Sequence, residues 1–244
     1  MSRPVEPHTR LKKAIKDGTL HEVPELLTAR YFLVRDHGYE RLNGFHLAAK
    51  FGRLKDLPSG LMTLKHLRRQ DGLQRTSYHI AAIHGHLRQI PDGLHHPSMI
   101  WFADHKGQNL LHLAFLGNFA DLKLIPSDYL TPACLAAKDK LGSTPIHAAA
   151  FSGNLAQLLE GEKYIKFDAL FEKDMHGCNC FHYAAAGGHL DEIPRPNGFD
   201  EYFPLINKQV QKGKMHQDPA IEKKAAMWLA ARAQELLARK ARRK

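Results

Sequence analysis

Long apolar runs are missing from these 244 residues. No window approaches the roughly 18 consecutive apolar side chains that a membrane-spanning helix requires, since even Leu110 to Leu116 is interrupted by His112 and closed by Gly117. The first residues, MSRPVEPHTRLKK, lack the apolar centre of a secretory signal, so the expected location is the cytoplasm. Cysteine is scarce: Cys134, Cys178 and Cys180 are odd in number and too few for a disulfide framework in a chain this size, which fits a reducing compartment. Serine is sparse, and neither a Gly-x-Ser-x-Gly turn nor a cysteine signature presents a nucleophile. No glycine-rich phosphate loop occurs. These gaps argue against an enzyme, and no cofactor or small-molecule substrate is expected.

Acidic residues are outnumbered, 25 against 35 lysines and arginines, for a formal charge of +10. The imbalance is local. Residues 207–244 hold 11 basic and 3 acidic side chains, which leaves 24 and 22 for residues 1–206. A nearly neutral body with a basic tail is not the pattern of a uniformly basic binding surface.

What is present in quantity is repetition. The stretch GSTPIHAAAFSGN, Gly142 to Asn154, has weaker copies on both sides. Its His147 belongs to a series, His46, His79, His112, His147 and His182, spaced by 33, 33, 35 and 35 residues. Three residues before each stands Asn43, Thr76, Asn109, Thr144 or Asn179, all side chains that cap a helix start. Small residues recur at Ala48, Ala81, Ala114, Ala149 and Ala184, where helices can approach closely, and each run stops at Gly52, Gly85, Asn118, Gly153 or Gly188. Those closing residues tolerate the left-handed conformation that ends a helix. A second apolar pattern follows, as in LKDLP, LRQIP and LDEIP, with a proline that limits further helix. A third starts at Thr28, Thr63, His96, Thr131 and Lys166, places Phe32, Leu67, Ile100, Leu135 or Leu170 four residues on, and ends at Asp36, Asp71, Asp104, Asp139 or Asp174. Each copy thus reads as two main short helices, a helical turn and an Asp-bearing loop. An earlier copy, with Thr9, Leu11, Ala14 and Gly18 in register, has Lys12 in place of the histidine.

These residues resemble the ankyrin repeat, whose pattern is D-x-x-G-x-T-P-L-H-x-A-A-x-x-G-H; DKLGSTPIHAAAFSGN is the nearest copy, and the likeness covers about residues 9–194. The resemblance implies an all-α fold, an ankyrin-repeat solenoid of about six stacked helical units with a C-terminal helix, its first helices on the concave side and its loops projecting as fingers. Single units of this kind cannot bury their apolar faces, so neighbours hold one another up. The domains expected are a degenerate N-terminal capping repeat over 1–40, repeats over 41–194, and a linker with a basic amphipathic helix over 195–244. The Thr-Pro pair survives only at 144 and 145. The Leu-x-x-Ile-Pro version is similar to divergent units common in bacterial proteins, which implies as partner an endogenous enzyme held in check or, for a translocated effector, a host protein.

The five histidines of the series, His86 and His189 at the Gly-His step, and Asp71, Asp104, Asp139 and Asp174 are thereby assigned to the frame. The pairs His84 with His86 and His95 with His96 have no third ligand at metal-site spacing, and Cys178-x-Cys180 has no second thiol pair, so no metal is expected. The candidate binding residues are finger side chains that change from copy to copy, Tyr39, Arg75, His105, Lys106, Lys140, Met175 and His176, and helix-end residues Phe51, His84 and Phe151. For Phe51 and Phe151 two readings stand: an aromatic anchor for a protein partner, or packing against the next copy.

Beyond Asn207 the pattern stops. Asp218 and Pro219 suit a helix start, and Ile221, Ala225, Trp228, Leu229 and Leu236 share one face that would cap the last repeat. The final RKARRK carries Arg239, Lys240, Arg242, Arg243 and Lys244. Positive charge suits a helix C-terminus, but this much also suits nucleic acid, an anionic membrane, an acidic protein or nuclear import. A solvated tail without a ligand is the competing reading.

Overall fold

The structure, a computed structural model, describes residues 6–95, 97–117, 122–159, 164–165, 167–189 and 193. The predicted C-terminal helix and the basic tail lie outside these, as do His96, Asn118 and Lys166. The described residues are helical without strands. The helices are α1 (Pro7–Asp17), α2 (Ala29–Phe32), α3 (Gly44–Lys50), α4 (Leu64–Leu67), α5 (Ser77–Ile83), α6 (Leu110–Leu116), α7 (Pro132–Leu135), α8 (Pro145–Phe151), α9 (Leu155–Leu159) and α10 (Cys180–Gly187). They fall into two compact units, divided between Cys134 and Leu135.

Each of α3, α5, α6, α8 and α10 starts at the residue after its predicted cap. The asparagines accept from the backbone N–H of the histidine three residues on: Asn43 from His46 at 3.0 Å, Asn109 from His112 at 3.1 Å and Asn179 from His182 at 3.4 Å. The threonines take the same place in the capping box. Their hydroxyls lie 2.9 Å (Thr76) and 2.8 Å (Thr144) from the histidine Nδ1, a contact that the side-chain oxygens of Asn109 and Asn179 also make, at 2.8 and 2.6 Å. In every copy Nδ1 accepts the backbone N–H of the cap residue, at 3.1–3.2 Å. The other ring nitrogen reaches forward: Nε2 of His46, His79 and His147 donates to the carbonyls of Arg69, Phe102 and Glu172 at 2.8, 2.9 and 3.1 Å. Each of these three histidines therefore ties a helix start to the third turn of its own copy.

The helix ends also follow one rule. Gly18, Gly52, Gly85, Gly153 and Gly188 have φ between 64° and 82°, the left-handed geometry that costs glycine least. The next residue's N–H turns back to a helix carbonyl, to Ala14, Ala48, Ala81, Ala149 and Ala184 respectively, at 2.7–2.9 Å. The first copy departs at its start, where Glu6 precedes the helix with Pro7 in its first turn and Thr9 lies inside.

The expected second helices are single 3₁₀ turns in the first unit, Leu20–Glu22, Leu54–Asp56, Leu87–Gln89 and Leu122–Leu124. Proline is the physical reason. It excludes the helical conformation from the preceding residue, and Leu57 and Ile90 before Pro58 and Pro91 are extended, with ψ of 142° and 128°. NLAQLLE in the second unit has no proline and forms the five-residue α9.

In the first unit α1 packs on α3, α3 on α5 and α5 on α6; in the second, α8 packs on α10. The third-turn residues Phe32, Leu67, Ile100, Leu135 and Leu170 are buried with the alanines of the first helices. Each large side chain so enclosed contributes about 1.5–3 kcal/mol. Phe45 lies between Phe32, 5.1 Å away, and the stacked ring of His66 at 4.9 Å. The closest approaches fall at two helix-end glycines. A Cβ at Gly117 would overlap the carbonyl oxygen of Ile83, and one at Gly187 that of Phe151.

Candidate functional site

The loops that leave the third turns are built by their aspartates. Asp71 Oδ1 accepts from the N–H groups of Leu73 and Arg75, both at 2.8 Å, and Asp104 Oδ1 from Lys106 and Gln108 at 2.8 and 2.9 Å. In the second unit Asp139 does the same for Leu141 and Ser143, and Asp174 for His176 and Cys178. Each loop closes with the aspartate N–H donating to the residue four ahead and with a left-handed residue at the tip's far side: Gln74, Gly107, Gly142 or Gly177. The Asp36 loop is two residues longer, reaches the carboxylate only through Leu42 N–H, and has left-handed Arg41.

Neighbouring loops within a unit are joined through the backbone. Gly72 N–H donates to Glu40 at 2.7 Å and His105 N–H to Leu73 at 3.1 Å in the first unit; Met175 N–H donates to Leu141 at 2.9 Å in the second. The backbone is thus held from loop to loop while the side chains at the tips differ, although at Gly72 a Cβ would meet the Tyr39 carbonyl oxygen.

Tyr39 is 84% and Met175 65% exposed; Lys106, Lys140 and His176 are exposed too. His105 is half-buried, its Nδ1 3.1 Å from the Leu73 carbonyl. Arg75 departs from the expectation of an outward side chain. It is 12% exposed, ion-paired to Asp71 at 2.8 Å and to Glu40 of the preceding loop at 2.7 Å, and so clamps two fingers together. Phe51, His84 and Phe151 are each half-buried at helix ends. His84 is pushed below its ordinary value by burial and by Lys50, His86 and Arg75, which favours a neutral ring. Within the second unit the structure joins Met175 to the Lys140–Leu141 loop, and within the first it joins His105 to the loop that carries Arg75. Arg239, Lys240, Arg242, Arg243 and Lys244 lie outside the described residues.

No family model and no curated protein matches the chain. Among the described residues no three His, Cys, Asp or Glu side chains meet in a way that would hold a metal ion, and no helix is long and apolar enough to cross a membrane. Cys134, Cys178 and Cys180 are buried thiols, and burial pushes the Cys180 thiol up, away from the reactive thiolate. Tyr183 joins the second-unit loops as a spacer: its hydroxyl donates to Asp174 Oδ2 at 2.9 Å and lies 2.5 Å from Ser143 Oγ.

Exposed apolar side chains escaped the sequence reading: Val34, Leu116, Leu141 and Trp101. Leu141, 51% exposed, sits at a tip beside Met175, and Trp101, 58% exposed, follows the buried Ile100 of a third turn. The signal was register: Leu141 is two residues past Asp139, as Lys106 is past Asp104.

Proposed function

We infer that this is a divergent ankyrin-type repeat protein that binds a protein partner through its finger loops and exposed helix ends, with no catalysis of its own. The observation carrying this reading is the contrast at the fingers. The aspartate, its two N–H donors and the loop-to-loop bonds recur, while the tips change from Gly72 to His105, Lys140 and Met175. A rigid backbone displaying interchangeable side chains lowers the ordering cost of recognition, and few changes then redirect specificity. The three cysteines are buried, and burial raises the Cys180 thiol, which is consistent with a binding role.

A second reading keeps its sequence support: five basic residues among the last six suit nucleic acid or an anionic membrane. Deleting residues 219–244 separates the two. Under the finger reading the shortened chain still retains its protein partner from native-cell extract. Loss of all binding, with steep salt dependence in the intact chain, would transfer the function to the tail.

A further inference from the structure

Three successive third-turn segments of the first unit, residues 29–35, 63–70 and 97–103, contain no acidic residue, while the first two carry Arg30, Arg35, Lys65, Arg68 and Arg69. All five cations are exposed and, among the described residues, none forms an ion pair. The segments are neighbours. Arg35 Nη2 donates to the Gln70 carbonyl at 2.7 Å, and the Arg68 guanidinium lies over the Phe102 ring, 4.8 Å from its centre. Trp101 stands exposed beside Phe102, in register with Arg68. The carboxylates that follow are turned to other tasks: Asp71 holds Arg75, and Asp104 holds its own loop. The strip is also anchored from behind, because buried His46 and His79 donate to the carbonyls of Arg69 and Phe102.

The geometry points to this strip as a docking surface for an acidic protein segment, its carboxylates held by Arg68, Arg69 and Lys65 and an apolar side chain seated on Trp101. The proposal rests on the protein-binding reading above and adds the chemistry of the partner. Guanidinium groups pair with carboxylates in a planar, two-pronged way, and tryptophan and arginine are the side chains that dominate interface energetics. Single-stranded nucleic acid fits less well. Stacking needs open aromatic faces, whereas arginines already lie over Phe102 and Tyr31, leaving Trp101 alone.

The test uses the full chain and a fluorescein-labelled twelve-residue peptide of aspartate and glutamate with a central Leu-Phe pair, read by fluorescence anisotropy. Controls are the same peptide with Gly-Ser at the centre, a twenty-residue oligouridylate, and phosphatidylserine vesicles. Binding is expected to weaken at least tenfold in Arg68→Glu/Arg69→Glu and about threefold or more in Trp101→Ala. The milder Arg68→Gln/Arg69→Gln should fall between, with unchanged melting of every variant, and neutralising the five basic residues of 239–244 should leave affinity intact. Equal binding by wild type and the strip variants overturns the proposal, as does equal affinity for the Gly-Ser peptide. Tighter, strip-dependent binding of the oligonucleotide or the vesicles reassigns the surface and also overturns it. If a native protein partner is still retained in any of those cases, this inference alone has failed; if none is retained by the intact chain, the reading beneath it has failed.

Discussion

Gln74 holds φ at 60° where the equivalent residues of later fingers are Gly107, Gly142 and Gly177. A side chain pays about 1–2 kcal/mol for that conformation, part of which glycine returns as unfolded-state entropy. Gln74→Gly is therefore expected to stabilise the fold by about 0.5–1 kcal/mol in chemical denaturation, and a lower midpoint would show the tip geometry to be otherwise. Gly187→Ala should act in the opposite direction by at least about 2 kcal/mol, because its methyl group meets the Phe151 carbonyl, which belongs to a helix backbone and cannot step aside. Gly153→Val is a different case: φ is 76°, so the loss there comes from backbone strain. Unchanged melting of either variant would contradict the packing or the helix ending described. These helix-ending glycines were legible from sequence because few residues adopt left-handed backbone. Gly117 and Gly187 were not, since close approach between helices depends on where a neighbour's carbonyl points.

Within each repeated element the histidine is the joint between helix and loop, and its chemistry makes the joint sensitive to acid. Burial holds His79 and His182 down at about 4 from an ordinary 6.5, and lowers His46 and His147 as well. In His46, His79 and His147 both ring nitrogens are committed in a neutral tautomer, with Nδ1 accepting and Nε2 donating. The unfolded chain takes up protons at these sites near pH 6.5, while folded His79 and His182 refuse them until about pH 4 and folded His46 and His147 take them up at lower pH than the unfolded chain does. The unfolded state thus binds more protons in that window, and stability falls as pH falls through it. Thermal melting should drop steeply between pH 6.5 and 4; a flat profile would mean that the imidazoles are not enclosed as described. The helix starts and the histidine series were readable because caps and imidazoles are chemically particular and recur. The second elements were misjudged as helices because Leu-x-x-Ile-Pro carries helical spacing of apolar residues, and only the conformational limit before proline reduces it to one 3₁₀ turn. Arg75 was misjudged because its partner Glu40 lies 35 residues earlier, in another finger.

At the level of the molecule, neighbours of like build support one another inside each unit, and what varies is left at the exposed edge. Charge adds a bias: the exposed arginines of the first unit favour acidic partners, so raising salt should slow association more than it speeds dissociation. Stopped-flow binding at two ionic strengths checks this, and a salt effect confined to dissociation would count against electrostatic attraction. The central claim, recognition through a constant frame with variable tips, is tested most directly by hydrogen exchange on the complex with the retained partner. The account predicts slowed exchange at the fingers around residues 39–41, 105–106, 140–141 and 175–176. Slowing confined to residues beyond 206, with the fingers exchanging as in the free chain, would contradict it.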